Sequence, residues 1–151
     1  MVAPAYVVRV LLVAALAATG VVASGCARPV AVQAPTATDN CAPVLSSAPI
    51  RVVSELQRET SPADAAAIAW GDPPIVLVCG VDFTVPPDAQ ILEVDGVAWV
   101  AQVREDGTVF TTVEADPVVQ IRVPAAYRPE AEVLADLGSN VSIGDQTSDM
   151  S

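Results

Sequence analysis

A chain of 151 residues with 52% apolar and only 4% aromatic side chains suffices for one small domain with an aliphatic core. Eighteen acids against seven arginines give a formal charge of −11, the opposite of the basic stripe that displaces counterions from nucleic-acid phosphates. Neither His nor Lys occurs, which removes the Ser-His-Asp triad, the Cys-His dyad, His-ligated zinc, the Schiff-base lysine and the P-loop lysine together.

Residues 1–25 read as a lipoprotein signal peptide. Arg9 precedes the fourteen-residue apolar run Val10–Ala23, short of the roughly 20 residues that span a bilayer but right for a signal core. Ala23-Ser24-Gly25-Cys26 follows and resembles a bacterial lipobox, with Ala23 where Leu is usual. The Cys26 thiol would take a diacylglycerol and become the first residue after cleavage. Two acyl chains suffice for stable anchoring, whereas one is marginal. The expected location is therefore the extracytoplasmic face of the cell membrane. The alternatives are a secreted protein cut nearby with Cys26 free, and a retained signal anchor, which the short run disfavours.

Residues 26–40 follow as the lipidated cysteine and an Ala/Pro/Thr tether without sustained periodicity. Fourteen partly extended residues would lift a domain about 40 Å from the membrane. With Cys26 set aside, Cys41 and Cys79 form an even pair in an exported chain, which predicts a disulfide. The loop it closes would stabilise the fold by about 4 kcal/mol on a chain-entropy basis. Two thiols without His are too few for a competing metal site.

The folded domain is expected over 41–137, in an α+β class: a small antiparallel meander covered on one face by two or three short helices. A first helix is predicted over Ile50–Arg58, from the stripe Val52, Val53 and Leu56. A second is predicted from Ser61 to Ala69, with Ser61 as cap and Pro62 at the first helical position. Pro73 and Pro74 end it. Ile75–Cys79 is a continuous apolar run, as in a central strand covered on both faces. Ile91–Val94 and Val97–Val103 flank Asp95-Gly96, a strong hairpin signal. Asp106-Gly107 turns into Thr108–Val113, and Glu114–Pro117 turns into Val118–Val123. Pro129 and Glu130 open a closing helix with Val133, Leu134 and Leu137. Residues 138–151 read as a flexible polar tail. Asn140-Val141-Ser142 matches a glycosylation acceptor, taken as coincidence beside a bacterial lipobox.

Several short motifs stand out: Trp70-Gly71-Asp72-Pro73-Pro74 leading to Cys79-Gly80-Val81, then Val94-Asp95-Gly96-Val97-Ala98-Trp99, Phe110-Thr111-Thr112, and Val123-Pro124-Ala125-Ala126-Tyr127. On these residues the chain resembles a family of small actinobacterial exported or membrane-anchored proteins, classed as a domain of unknown function. The resemblance spans nearly all of 41–137. It departs at Val78, where the family often has Arg. It implies compartment and a single fold, and no reaction.

Trp70 and Asp72 are open to two accounts. In the structural one, Trp70 covers the disulfide, Gly71 takes a positive φ, Asp72 closes a turn and Pro73 starts the strand. In the functional one, Trp70 and Asp72 line a cleft and present an aromatic face beside a carboxylate to a cell-wall glycan or peptide. The structural account is preferred, and Trp99 is likewise assigned to the core. The acidic pairs Glu93/Asp95, Glu105/Asp106 and Glu114/Asp116 lie at turns, where no apolar setting would raise a carboxyl pKa for acid catalysis. They also lack the Asp-x-Asp-x-Asp-Gly pattern of a calcium loop. Ser46 and Ser47 have no base. The expectation is a non-enzymatic, lipid-anchored envelope module without catalytic residues, cofactor or metal. Its partner would be an envelope protein with a basic patch steered by the acidic surface, not nucleic acid. The alternative is a small-ligand module contacted by Trp70 and Asp72, and an enzyme ranks third.

Overall fold

The computed structural model describes residues 27–148, the last six as main chain only. The signal segment, Cys26 and residues 149–151 lie outside the described residues. In chain order the elements are β1 (Val30–Ala31), a 3-10 turn Asp39–Cys41, α1 (Ala42–Ser46), β2 (Arg51–Val52), β3 (Glu55–Arg58), β4 (Thr60–Ser61), β5 (Ala67–Trp70) and β6 (Ile75–Cys79). There follow β7 (Ile91–Val94), β8 (Val97–Arg104), β9 (Gly107–Thr112), β10 (Val119–Pro124), a 3-10 turn Ala125–Tyr127 and α2 (Ala131–Ser148). Eight strands form one sheet in the order β2-β3-β5-β6-β10-β9-β8-β7, every neighbouring pair antiparallel. The fold is thus mostly antiparallel β with two helices.

The meander stands where the sequence places it. Asp95 and Gly96 have φ of 51° and 80°, the left-handed pair that a two-residue hairpin requires. At the next turn a Cβ on Gly107 would overlap the Val123 carbonyl oxygen, so the β9–β10 approach there demands glycine. Ile75–Cys79 is central, with Ile75, Leu77 and Cys79 wholly buried on one side and Val78 on the other. Cys41 and Cys79 form the predicted disulfide, with Cα atoms 5.9 Å apart. Val44 of α1 and Val133, Leu134, Leu137 and Val141 of α2 share one buried cluster with Trp70, Leu77, Trp99, Phe110 and Ile121 of the sheet.

Both early helices are corrected. Residues 50–58 form the β2–β3 hairpin around Val53-Ser54, whose φ values of 42° and 74° again match a tight hairpin turn. A left-handed β-branched residue is strained, and the Val53 amide donates to Asp136 Oδ2 of α2 at 2.7 Å, fixing the turn. The helical stripe misled because Val52 alone is fully buried, while Leu56 stays half exposed. Residues 61–69 are not helical either. Ala66, Ile68 and Trp70 enter the main core, while Ala65 and Ala67 pack on the opposite side against Val78. Burial on both faces in alternation selects a strand and overrides the helical propensity of alanine.

The tether is corrected as well. Val30 and Val32 donate main-chain bonds to the Glu59 and Ser61 carbonyls, at 2.8 and 3.0 Å, and β1 pairs in parallel with β4. Further on, Ala37 donates to Asp64, Ala66 donates to Pro35, and Thr36 bridges Ala65. Val32 and Ala34 lie on Ala65, Ala67 and Val78. The aliphatic residues of a low-complexity stretch thus cover small alanines on the sheet, and the domain begins by Val30 rather than Cys41.

The tail differs too. α2 runs on to Ser148, beyond the expected stop at Leu137. Asn140 is buried, and its amide donates to the Val44 carbonyl at 2.7 Å and Ser47 Oγ at 2.6 Å. The glycosylation triplet therefore lies inside the fold, with its asparagine nitrogen engaged. Among the described residues no helix is long and apolar enough to cross a membrane.

Candidate functional site

Two of the sequence motifs meet at one corner of the sheet. Trp70 pairs with Ile75 across the β5–β6 turn, and the turn residue Gly71 has φ +72°. A Cβ on Gly71 would come 2.5 Å from Tyr127 Oη and 2.8 Å from Glu55 Cγ. Its absence lets the Tyr127 hydroxyl donate to the Pro73 carbonyl at 2.7 Å. Arg58 completes the corner, with Nη1 on the Gly71 carbonyl at 2.9 Å and Nη2 on the Arg28 carbonyl at 3.0 Å. Burial pushes the Tyr127 hydroxyl pKa above its ordinary 10.0, as does the nearby Glu55 charge. The Asp72 main chain and Arg58 pull it partly back.

Trp70 does not face a cleft. Its ring is fully buried, and Nε1 donates to the Pro49 carbonyl at 2.8 Å. Asp72, two residues on, is exposed. The pair therefore forms no joint ligand surface, and the aromatic half of the ligand-contact expectation falls to burial. Trp99 is also fully buried, yet its Nε1 has no hydrogen-bond partner among the described residues. Phe110 packs in the core, and the Thr112 hydroxyl accepts from the Val119 amide at 2.9 Å, so this motif clasps β9 to β10. Among the described residues no three Cys, Asp or Glu side chains gather as metal ligands.

Beside the corner runs an open groove of about 650 Å³, bordered by Pro73, Pro74, Pro124 and Ala126. Its position follows from strand register. Ala69 pairs with Val76, Val76 with Arg122, and Arg122 with Val109, so these side chains form one row on a single sheet face. The neighbouring row, Ala67, Val78, Gln120, Thr111 and Val100, lies on the same face. Val78, Thr111 and Val100 in that row are buried, whereas Arg122 is exposed and Val76 and Val109 are partly so. The N-terminal segment covers Ala67 and Val78 and leaves the Val76–Arg122–Val109 row as a floor. Arg104 and Asp106 stand at the β8–β9 end.

Pro73, Pro74, Pro124, Ala126 and Asp106 fall in motifs or turns read from the sequence, but the floor residues Val76, Arg122 and Val109 and the rim residue Arg104 were not singled out as a site. The signal lay in the phase of β10, where Gln120 and Arg122 alternate with the buried Val119, Ile121 and Val123. Only the register shows that Arg122 lies between two valines of other strands.

An acidic domain with an open cationic groove defines no known reaction class by itself. The chain matches the model of the family described as protein of unknown function (DUF3515) over residues 1–147, and it belongs to that family. No curated protein and no solved structure matches it.

Proposed function

We propose that this chain is a non-enzymatic module of an actinobacterial cell envelope, lipid-anchored through Cys26 at the extracytoplasmic face and serving as an accessory to another envelope component. The two helices close one face of the sheet, and the opposite face is presented to the partner. One observation carries the reading: the stretch after the lipobox-like segment is built into the fold and not left as a spacer. Three residues lie between Cys26 and Val30, four Cα steps and a reach of at most about 14 Å. An anchor at Cys26 thus holds the domain against the membrane surface in a restricted pose. Arg58, which grips the Arg28 carbonyl, lies in the same row as Val76 and Arg122 through its pairing with Ala69. Three inter-strand spacings, about 14 Å, separate Arg58 from Arg122, so the groove opens close to the anchored end. The acidic surface steers a partner with basic patches to the domain.

The test is mass spectrometry and fractionation of the full-length protein from its own cells, with in-cell cross-linking. The expected result is a diacylglycerol-modified Cys26 at a processed N-terminus, and a Cys26→Ala protein released from the membrane that loses a reproducible cross-linked partner. Unmodified Cys26 in a soluble wild-type protein would overturn the anchor. Turnover of a substrate by the purified protein, abolished by a groove substitution that leaves the fold intact, would overturn the non-enzymatic role.

A further inference from the structure

We infer that the groove is a docking site for an extended polypeptide segment of the partner that places a carboxylate side chain on Arg122 and Arg104, with basic residues flanking it. This rests on the accessory-module reading and deepens it by naming what the partner presents. Among the described residues, Arg51 is engaged on the Ser54 carbonyl, Arg58 on two carbonyls and Arg128 on Glu130, while the exposed Arg28 side chain makes no such bond but lies outside the groove lining. Arg122 has no hydrogen bond or ion pair among the same residues, and Arg104 meets only the neutral Gln102 side chain, at 3.2 Å. Two uncommitted guanidiniums therefore border one groove of a protein whose formal charge is −11.

The setting suits a carboxylate. Arg122 stands between Val76 and Val109 in the strand register, and the planar fork of an arginine matches a carboxylate in two parallel bonds. Asp106 shares the groove and repels any anion, a carboxylate as well as a phosphate or lipid headgroup, so the arginines favour an anion whose own chain can answer Asp106 with a donor. A polypeptide offers amide donors to Asp106 and an acceptor to the arginines at once. Beyond the rim the surface turns acidic again at Glu105, which favours basic residues on either side of the carboxylate. Apolar segment residues would lie on Val76 and Val109, while Pro73 and Pro74 wall the groove without offering amide donors.

The experiment places a photoreactive benzoylphenylalanine at Ala126, an exposed groove-rim position, in the full-length protein in its own cells. Cross-linked peptides are then sequenced by mass spectrometry. The expected adduct is one protein segment with an Asp or Glu between basic residues. Its yield should fall at least tenfold in Arg122→Gln combined with Arg104→Gln, and a Glu132→Gln control on α2, which packs on the other face of the sheet, should retain most of it. Both arginines are exposed, so the double variant folds, and an unchanged melting temperature verifies that. An adduct insensitive to the arginines, one mapped to a segment without a carboxylate, an adduct with lipid, or no adduct each overturns the proposal. Fractionation of the same cells separates the two readings. A membrane-bound protein without the arginine-dependent adduct refutes the groove and leaves the anchor standing. An arginine-dependent adduct on a protein that was never acylated refutes the anchor and leaves the groove.

Discussion

The corner where Gly71 meets Tyr127 makes a quantitative claim about why glycine follows Trp70. An alanine there must hold φ +72°, which costs about 1–2 kcal/mol, partly offset by the smaller unfolded-state entropy of alanine, about 0.4–1 kcal/mol. Its Cβ also lands on Tyr127 Oη and Glu55. Both are side-chain ends and can move, so the further loss is the Tyr127–Pro73 hydrogen bond, about 1 kcal/mol. Gly71→Ala should therefore destabilise by about 2 kcal/mol, and Tyr127→Phe alone by about 1 kcal/mol. In the Tyr127→Phe background the hydroxyl is already gone, and Gly71→Ala should cost only about 1 kcal/mol. Urea denaturation of the four proteins gives a coupling energy of about 1 kcal/mol if the contact sets the penalty, above the roughly 0.3–0.5 kcal/mol within which independent sites add. Additive losses would show that the backbone conformation alone requires glycine and that the Tyr127 contact is incidental.

Three further outcomes follow from other parts of the molecule. The folded Tyr127 pKa lies above its ordinary 10.0, so its contribution to stability is complete below about pH 10 and is lost as pH rises through the folded value; denaturation midpoints measured from pH 9 upward should fall, and fall less in Tyr127→Phe. Trp70→Phe strands the Pro49 carbonyl, whereas Trp99→Phe removes a buried N–H that has no partner among the described residues; thermal unfolding should show Trp70→Phe the more destabilising by about 1–3 kcal/mol, and equal losses would contradict this. Ser54→Gly relieves φ +74° at an exposed position and should raise stability by about 0.5–1 kcal/mol, or about 2–4 °C in midpoint; no rise would mean the turn is not strained.

How much the sequence disclosed depended on how local each signal was. The Asp95-Gly96 hairpin, the strand Ile75–Cys79 and the cysteine pair were legible, because two turn residues, one apolar run and one parity argument each suffice. Residues 50–58 were not. Three apolar residues at helical spacing also suit a short hairpin with one buried valine, and the decisive partner, Asp136, comes from the far end of the chain. Ala65–Ala69 and Val30–Ala34 misled for a shared reason: each looked like a helix or a tether alone, and each is ordered by packing on the other. The groove was invisible because Val76, Arg122 and Val109 become neighbours only through register between strands distant in sequence.

The seam between β6 and β10 shapes how this chain reaches its fold. Cys79 lies opposite Val119, although everything from β7 to β9 intervenes. Those intervening strands zip up through successive hairpins, and β5–β6 is another hairpin closed at Gly71–Pro74. Each half can assemble from contacts close in sequence, which form quickly, while joining them requires the long closure that slows folding. The groove floor straddles that seam, with Val76 on one half and Arg122 and Val109 on the other. The groove floor therefore exists only once the two halves have paired across that seam, and neither half alone contains it.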